Sequence, residues 1–99
     1  MNSDVTAHFG LLTVDLFIPA SQSLKNKRQV LKSLKDKIRS RFNVSVAELD
    51  RQDKWQTATL GFCMLGTDRR YINGGLEKIL VLVQNHYAAE VSDHQIEFF

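Results

Sequence analysis

The stretch from Ser21 to Phe42, SQSLKNKRQVLKSLKDKIRSRF, constrains the fold more than any other part of the sequence. At about 100° per residue, its apolar residues fall on one side of a helix, with Val30 on the flank of that side. These apolar residues are Leu24, Leu31, Leu34, Ile38 and Phe42. The pattern predicts an amphipathic helix that packs this side against a core, with Ser21 or Ser23 as its N-cap.

The adjoining side of the predicted helix is basic. Five bases recur there at steps of three and four, and we call them the basic ridge: Lys25, Arg28, Lys32, Lys35 and Arg39. The whole stretch holds eight Lys and Arg against one Asp, whereas the rest of the chain holds five bases against ten acids. Because like charges at this spacing repel one another, we expect the ridge to face an anionic partner or acids from elsewhere in the fold.

Alternating apolar residues predict four strands, at residues 8–18, 44–49, 55 or 56 to 65, and 90 or 91 to 99. A second helix is predicted from a cap at Thr67 or Asp68 to about Tyr87. Its weak point is the Gly74-Gly75 pair, since two glycines cost about 2 kcal/mol relative to alanines in a helix interior. We therefore expect either that this helix begins near Gly75 or that the glycines let another backbone come close.

The order β-α-β-β-α-β in 99 residues predicts a single ferredoxin-like domain over residues 1–99. This α+β fold has a four-stranded antiparallel sheet with both helices on one face, and right-handed crossovers place the first and third strands in its centre. On the first strand, one face should meet the helices: Leu12, Val14, Leu16 and Ile18. The other sheet face should be uncovered, and we place on it Leu11, Thr13, Asp15, Phe17, Thr57, Thr59, Cys63 and Leu65.

The composition and the N-terminal sequence indicate the class of protein and its location in the cell. The chain is 43% hydrophobic and 24% charged, as in ordinary globular proteins. One cysteine excludes an intramolecular disulfide, and no apolar run reaches the roughly 18 to 20 residues that span a bilayer. The N-terminus lacks the basic and apolar segments of a signal peptide. We therefore expect a cytoplasmic protein that does not bind a membrane.

The stretch SLKNKRQVLKSLKDKIRSRFNVSVAELDRQDKWQTATLGF, residues 23–62, resembles the signature of the YlxP-like family. The resemblance is most specific in Ser23-Leu24-Lys25, Lys27-Arg28, Val30-Leu31-Lys32-Ser33-Leu34, in residues 41–48 and in Trp55-Gln56. This is a family of small bacterial proteins known as a domain of unknown function. The resemblance implies the same ferredoxin-like fold in a bacterial cytoplasmic protein, often encoded beside translation-initiation and ribosome-maturation factors. It implies no established activity.

Lys27 lies in the apolar sector of the helix, where a cation is out of place. The interpretation that we favour is that its stem extends to the rim and its ammonium reaches water. The alternative is a pair with a carboxylate, for which Glu48 and Asp15 are the candidates. Clustered with Lys25 near the N-terminus of the helix, Lys27 is also a candidate for binding an anion at the preceding loop.

Trp55 opens a predicted strand beside Arg51 and Lys54. Aromatic rings with basic neighbours stack on unpaired bases, so Trp55 is a candidate stacking residue. The interpretation that we favour is a rim tryptophan that covers the hairpin.

Catalytic patterns are scarce. The three histidines have no metal-ligand spacing, no serine lies in a nucleophile elbow, and no Gly-rich loop precedes a helix. We therefore predict no catalytic residue, no metal and no cofactor.

The leading functional hypothesis is a non-catalytic RNA- or ribosome-associated binding module. In it the basic ridge contacts phosphates, Lys27 contributes to an anion site and Trp55 stacks on a base. The chief alternative is a homo-oligomeric interaction domain, such as a homodimer, that pairs through the uncovered sheet face or an edge strand. A third alternative is an enzyme that acts on a phosphorylated small molecule at the turn over residues 21–28.

Overall fold

The computed structural model describes residues 5–99, so the first four residues of the predicted domain lie outside the described part. The elements follow in the predicted order: β1 His8–Phe17, α1 Leu24–Arg39, β2 Ser45–Asp50, β3 Thr57–Gly66, α2 Arg69–Gln84 and β4 Glu90–Phe98. The strands form one antiparallel sheet in the order β2-β3-β1-β4, which places β1 and β3 in the centre. The predicted α+β, ferredoxin-like fold is confirmed.

The core lies between the sheet and the two helices. Each central strand turns alternate residues toward the helices, and all of them are buried: Leu12, Val14, Leu16, Ala58, Leu60, Phe62 and Met64, together with Ile18 just after β1. The helices contribute Leu31, Leu34 and Ile38 from α1 and Ile72, Leu76, Ile79 and Val83 from α2. The predicted inward face of β1 is therefore confirmed.

Helix α1 begins where the sequence predicts and ends earlier. Ser23 is the N-cap, and its hydroxyl accepts the backbone N–H of Asn26 at 3.0 Å. The helix ends at Arg39 instead of continuing to Phe42, because the backbone N–H groups of Arg41 and Phe42 both donate to the Ile38 carbonyl and close the last turn. Phe42 still packs against the core from the following turn.

Helix α2 begins at Arg69 with Asp68 as its N-cap, so the glycine pair lies inside the helix. A Cβ added at Gly75 would lie 2.8 Å from both Sδ and Cε of Met64, whereas one added at Gly74 would meet nothing within 4 Å. The close approach that we predicted therefore occurs at Gly75 alone, and the approaching group is a side chain instead of another backbone. In the described part of the chain, neither helix is long and apolar enough to cross a membrane.

The sheet face opposite the helices is open, and nothing in residues 5–99 covers it. Phe9, Leu49 and Leu65 on this face are 42%, 48% and 67% exposed. Its polar centre is a hydrogen bond at 2.7 Å, which Thr59 donates to the carboxylate of Asp15. The prediction of an uncovered face that is partly apolar is confirmed.

Candidate nucleic-acid interface

The basic ridge lies on the flank of α1 that faces the edge strand β2. Four of its five residues line one groove between the two elements, with a volume of about 460 Å³. The groove is lined by Arg28, Leu31, Lys32, Lys35, Asp36, Arg39 and Glu48, and we call it the α1–β2 groove. Lys25 does not line it and lies one turn before Arg28 on the same flank. The structure therefore brings most of the predicted phosphate contacts together in one concave surface.

The cations of the groove are largely free of internal partners. Among residues 5–99, Lys32 is the one ridge residue in an ion pair, with 2.6 Å between its Nζ and Oδ2 of Asp36. Both side chains are exposed, and the hydrogen bond from Lys32 lowers the pKa of Asp36 below its ordinary value. The Arg39 guanidinium donates to the Val46 carbonyl at 3.2 Å, which holds it over the edge strand. Arg28 and Lys35 pair with no acid in the described chain.

Lys27 is not on the surface, and the interpretation that it reaches water at the rim is wrong. Its side chain is 1% exposed, and its Nζ donates to the Glu48 carboxylate at 2.9 Å. The same ammonium donates to the carbonyls of Arg51 at 2.8 Å and Thr57 at 3.1 Å. The Gln52 carbonyl is a fourth acceptor at 3.5 Å, so the three N–H bonds of the ammonium are all used and Lys27 has no donor left for an external anion. The prediction that Lys27 contributes to an anion site is therefore wrong.

The alternative partner, Glu48, is therefore the observed one. Glu48 is on β2, beside α1, whereas Asp15 accepts its hydrogen bond from Thr59 on the open face. Glu48 also lines the α1–β2 groove with a side chain that is 17% exposed. Because Lys27 neutralises this carboxylate from the core side, Glu48 does not cancel the positive charge of the groove.

Trp55 lies in the turn between β2 and β3, with 57% of its surface exposed. The neighbouring Gln56 side chain donates to the carbonyls of Pro19 and Ser21, at 3.0 and 3.1 Å. These bonds fix the turn beside the loop that precedes α1. The indole thus lies at the same end of the molecule as the start of the basic ridge, with most of its surface available for contact.

One feature that we did not predict from the sequence is an exposed aromatic pair after α2. The Tyr87 ring is 93% exposed and stacks on His86 with 4.8 Å between ring centroids and 20° between ring planes. The adjacent His86-Tyr87 residues at the end of a predicted helix were a weak signal for it. No group of three or more His, Cys, Asp or Glu residues in positions 5–99 could hold a metal ion.

Comparison with known proteins identifies the family. A family model described as "Protein of unknown function (DUF503)" matches residues 9–96. The chain belongs to this family. "Uncharacterized protein YlxP" of Bacillus subtilis (strain 168) is 29% identical over 90 residues, which cover 91% of this chain and 98% of the relative. The predicted resemblance to YlxP-like proteins is therefore confirmed.

A solved structure shares the architecture of this DUF503 member. "De novo designed protein Foldit4" matches with a TM-score of 0.54, over 94% of this chain and 96% of that one. Its sequence identity is 13%, so the match shows the fold alone.

Proposed function

We propose that this DUF503 protein is a non-catalytic, cytoplasmic module that binds structured RNA, including that of the ribosome, through the α1–β2 groove. The phosphate backbone lies in the groove and is contacted by Arg28, Lys32, Lys35 and Arg39, and Lys25 extends the contact beyond its end. No step of bond making or breaking is required. Trp55, beside the start of the helix, stacks on an unpaired base.

The observation that carries the proposal is the gathering of four cations in one groove with only two acids, both already paired. Lys27 neutralises Glu48 from the core side, and Lys32 neutralises Asp36 at the surface. Arg28 and Arg39 are eleven positions apart, or about 16 Å along the helix at 1.5 Å per residue, enough to follow several phosphates. Repulsion between cations held this closely is relieved when an anion binds among them.

The salt dependence of binding tests this directly. If the four groove cations neutralise four phosphates, the slope of log K against log salt should be about −3.6, and affinity should fall about 150-fold between 50 and 200 mM salt. We would measure binding to a structured RNA and to purified ribosomal subunits. The triple variant Arg28→Glu, Lys32→Glu, Lys35→Glu should lose most of this affinity and most of the slope.

A second triple variant controls for net charge. Arg41→Glu, Arg70→Glu, Lys78→Glu makes the same charge change on exposed bases outside the α1–β2 groove, two of them in α2 and Arg41 close to it. We expect it to keep most of the affinity and the slope. Equal losses in the two variants would mean that overall charge, and not the groove, attracts RNA. If the wild type binds neither the structured RNA nor the ribosomal subunits at 50 mM salt, the proposed function is wrong.

The open sheet face favours a second candidate function, homo-oligomeric association. Its exposed Leu49 and Leu65, with Phe9 at the edge of the same face, form the kind of apolar surface that partner proteins cover. A stable dimer buries roughly 800 Å² on each partner. The test is the molecular mass as a function of concentration, for the wild type and for Leu65→Lys. A monomer at all concentrations would exclude this candidate.

A further inference from the structure

A second concave site lies on the opposite flank of α1, away from the basic ridge. It is a cleft of about 390 Å³ between the loop after β1, the first half of α1 and the turn between α2 and β4. We call it the Tyr87 cleft; its apolar part is Ile18 and Val30, and its polar part is Asn26, Gln29 and Ser33. An apolar surface with a few convergent polar groups, in this volume range, is typical of sites that bind small molecules.

The polar groups of the cleft have unused hydrogen-bonding capacity. Within residues 5–99, the side chains of Gln29 and Ser33 make no hydrogen bond, and the Asn26 amide uses only its oxygen, which accepts the backbone N–H of Gln22 at 3.2 Å. Two amides and a hydroxyl therefore present both donors and acceptors to the cleft. Amide side chains read the edges of nucleobases because they match the donor and acceptor pairs there.

The aromatic ring at the mouth of the cleft is accessible for stacking. Tyr87 is 93% exposed and stacks on the neighbouring His86. The backbone N–H of Ala88 donates to Nδ1 of His86 at 3.2 Å, which helps to hold the imidazole beside Tyr87. A tyrosine side chain has few rotatable bonds, so it loses little freedom when a base stacks on its ring.

We propose that the Tyr87 cleft binds an unpaired nucleobase of RNA, which stacks on Tyr87 and presents its edge to Gln29 and Asn26. The inference rests on the proposed RNA-binding function and adds to it a site for single-stranded bases. The α1–β2 groove offers positive charge to phosphates, whereas the cleft offers an aromatic ring and amide groups to a base. The two sites flank the same helix, so one RNA with a paired stem and an open loop occupies both.

The test compares a short single-stranded RNA with a blunt-ended RNA duplex that has no unpaired base. Tyr87→Ala should weaken binding of the single strand about 5- to 150-fold, the usual loss for one stacked base, and should leave its salt slope unchanged. It should leave duplex binding unchanged, and Tyr87→Phe, which keeps the ring, should bind the single strand nearly as the wild type does. Gln29→Ala should weaken single-strand binding less than Tyr87→Ala.

Tyr71 supplies a matched control, since its ring is 73% exposed at the other end of α2. Tyr71→Ala should leave both affinities unchanged. Equal effects of Tyr71→Ala and Tyr87→Ala, or an equal loss on the duplex and the single strand, would overturn the assignment of the cleft. Both tyrosines are exposed, so the variants should fold, and thermal unfolding checks this.

A titration with adenosine 5′-monophosphate, followed by NMR, separates this inference from the proposed function. The Tyr87 ring and Gln29 side-chain amide signals should shift in the wild type and also in the Arg28→Glu, Lys32→Glu, Lys35→Glu variant. Shifts that persist while this variant loses duplex binding support both sites. If the triple variant loses duplex binding but no cleft signal shifts in either protein, the groove proposal stands and the cleft inference fails. If cleft signals shift but no wild-type duplex binding is seen, the groove proposal alone fails.

Discussion

The Nζ of Lys27 lies 2.9 Å from Oε2 of Glu48, and this pair joins α1 to the edge strand β2 inside the fold. The same ammonium also donates to the Arg51 carbonyl at the start of the β2–β3 turn and to the Thr57 carbonyl at the start of β3. Arg51 has a φ of 64°, a left-handed conformation that costs free energy for a residue with a side chain. One buried lysine thus fixes the turn that carries Trp55.

Replacing this lysine should destabilise the protein strongly. Lys27→Met leaves the Glu48 carboxylate and two carbonyls without their donor, a change that typically costs about 3 to 5 kcal/mol, out of roughly 5 to 15 kcal/mol for a domain of this size. Urea unfolding measures the free energy of unfolding. Lys25→Met is the matched control, because Lys25 is exposed two residues earlier and should change stability by less than about 0.5 kcal/mol. Equal stability of the two variants would contradict the structural role of Lys27.

Lys27 also shows where prediction from sequence stops. Helical periodicity placed it in the apolar sector, and Glu48 and Asp15 were both candidate partners. The choice between the rim and the core depended on the Arg51 and Thr57 carbonyls, which are 24 and 30 residues away in sequence. Their positions follow from the turn conformation and from the β2–β3 register, and no local pattern in α1 encodes either.

The α1–β2 groove and the Tyr87 cleft also differ in how far the sequence predicts them. The α1–β2 groove was largely predictable, because its cations recur at helical spacing within one element, and only the position of β2 was needed to make it concave. The Tyr87 cleft combines Ile18, Gln29 and Tyr87 from three separate segments, which come together only when α2 ends and the chain turns into β4. The fold itself was predictable because its strands and helices have strong periodicity, including the position of β1 and β3 in the centre of the sheet.

The two glycines of α2 should respond differently to alanine. Gly74→Ala places a methyl group in open space and should stabilise the helix by up to about 1 kcal/mol. Gly75→Ala gains the same helix propensity, but its methyl group meets Sδ and Cε at the end of the flexible Met64 side chain at 2.8 Å, and the shift of this side chain offsets part of the gain. Thermal and urea unfolding should therefore show that Gly74→Ala is more stable than Gly75→Ala. Equal stabilities of the two variants would mean that Met64 moves aside without cost.

The pKa of His86 should lie below the ordinary value of 6.5, first because burial disfavours the charged ring and second because Lys37 repels it. The folded protein then binds the proton less readily than the unfolded chain does. The contribution of His86 to stability is therefore complete above pH 6.5 and is lost as pH falls through the folded pKa. An NMR titration of the imidazole should show the low value, and Lys37→Gln should raise it partway toward 6.5. An unchanged pKa in Lys37→Gln would exclude the contribution from Lys37.

Removing one acid from the α1–β2 groove should strengthen RNA binding. Asp36 pairs with Lys32 at 2.6 Å, so a phosphate that reaches Lys32 must displace this carboxylate and also meets its negative charge. Asp36→Asn keeps the shape of the side chain, frees the ammonium and removes the repulsion. Affinity for structured RNA at low salt should rise by a few-fold, whereas the salt slope should stay close to that of the wild type, because Lys32 neutralises one phosphate in both proteins. Glu97→Gln, on β4, makes the same charge change far along the sheet from the groove and should give a much smaller gain. Equal gains would assign the effect to net charge, and no gain in Asp36→Asn would mean that phosphate does not approach Lys32.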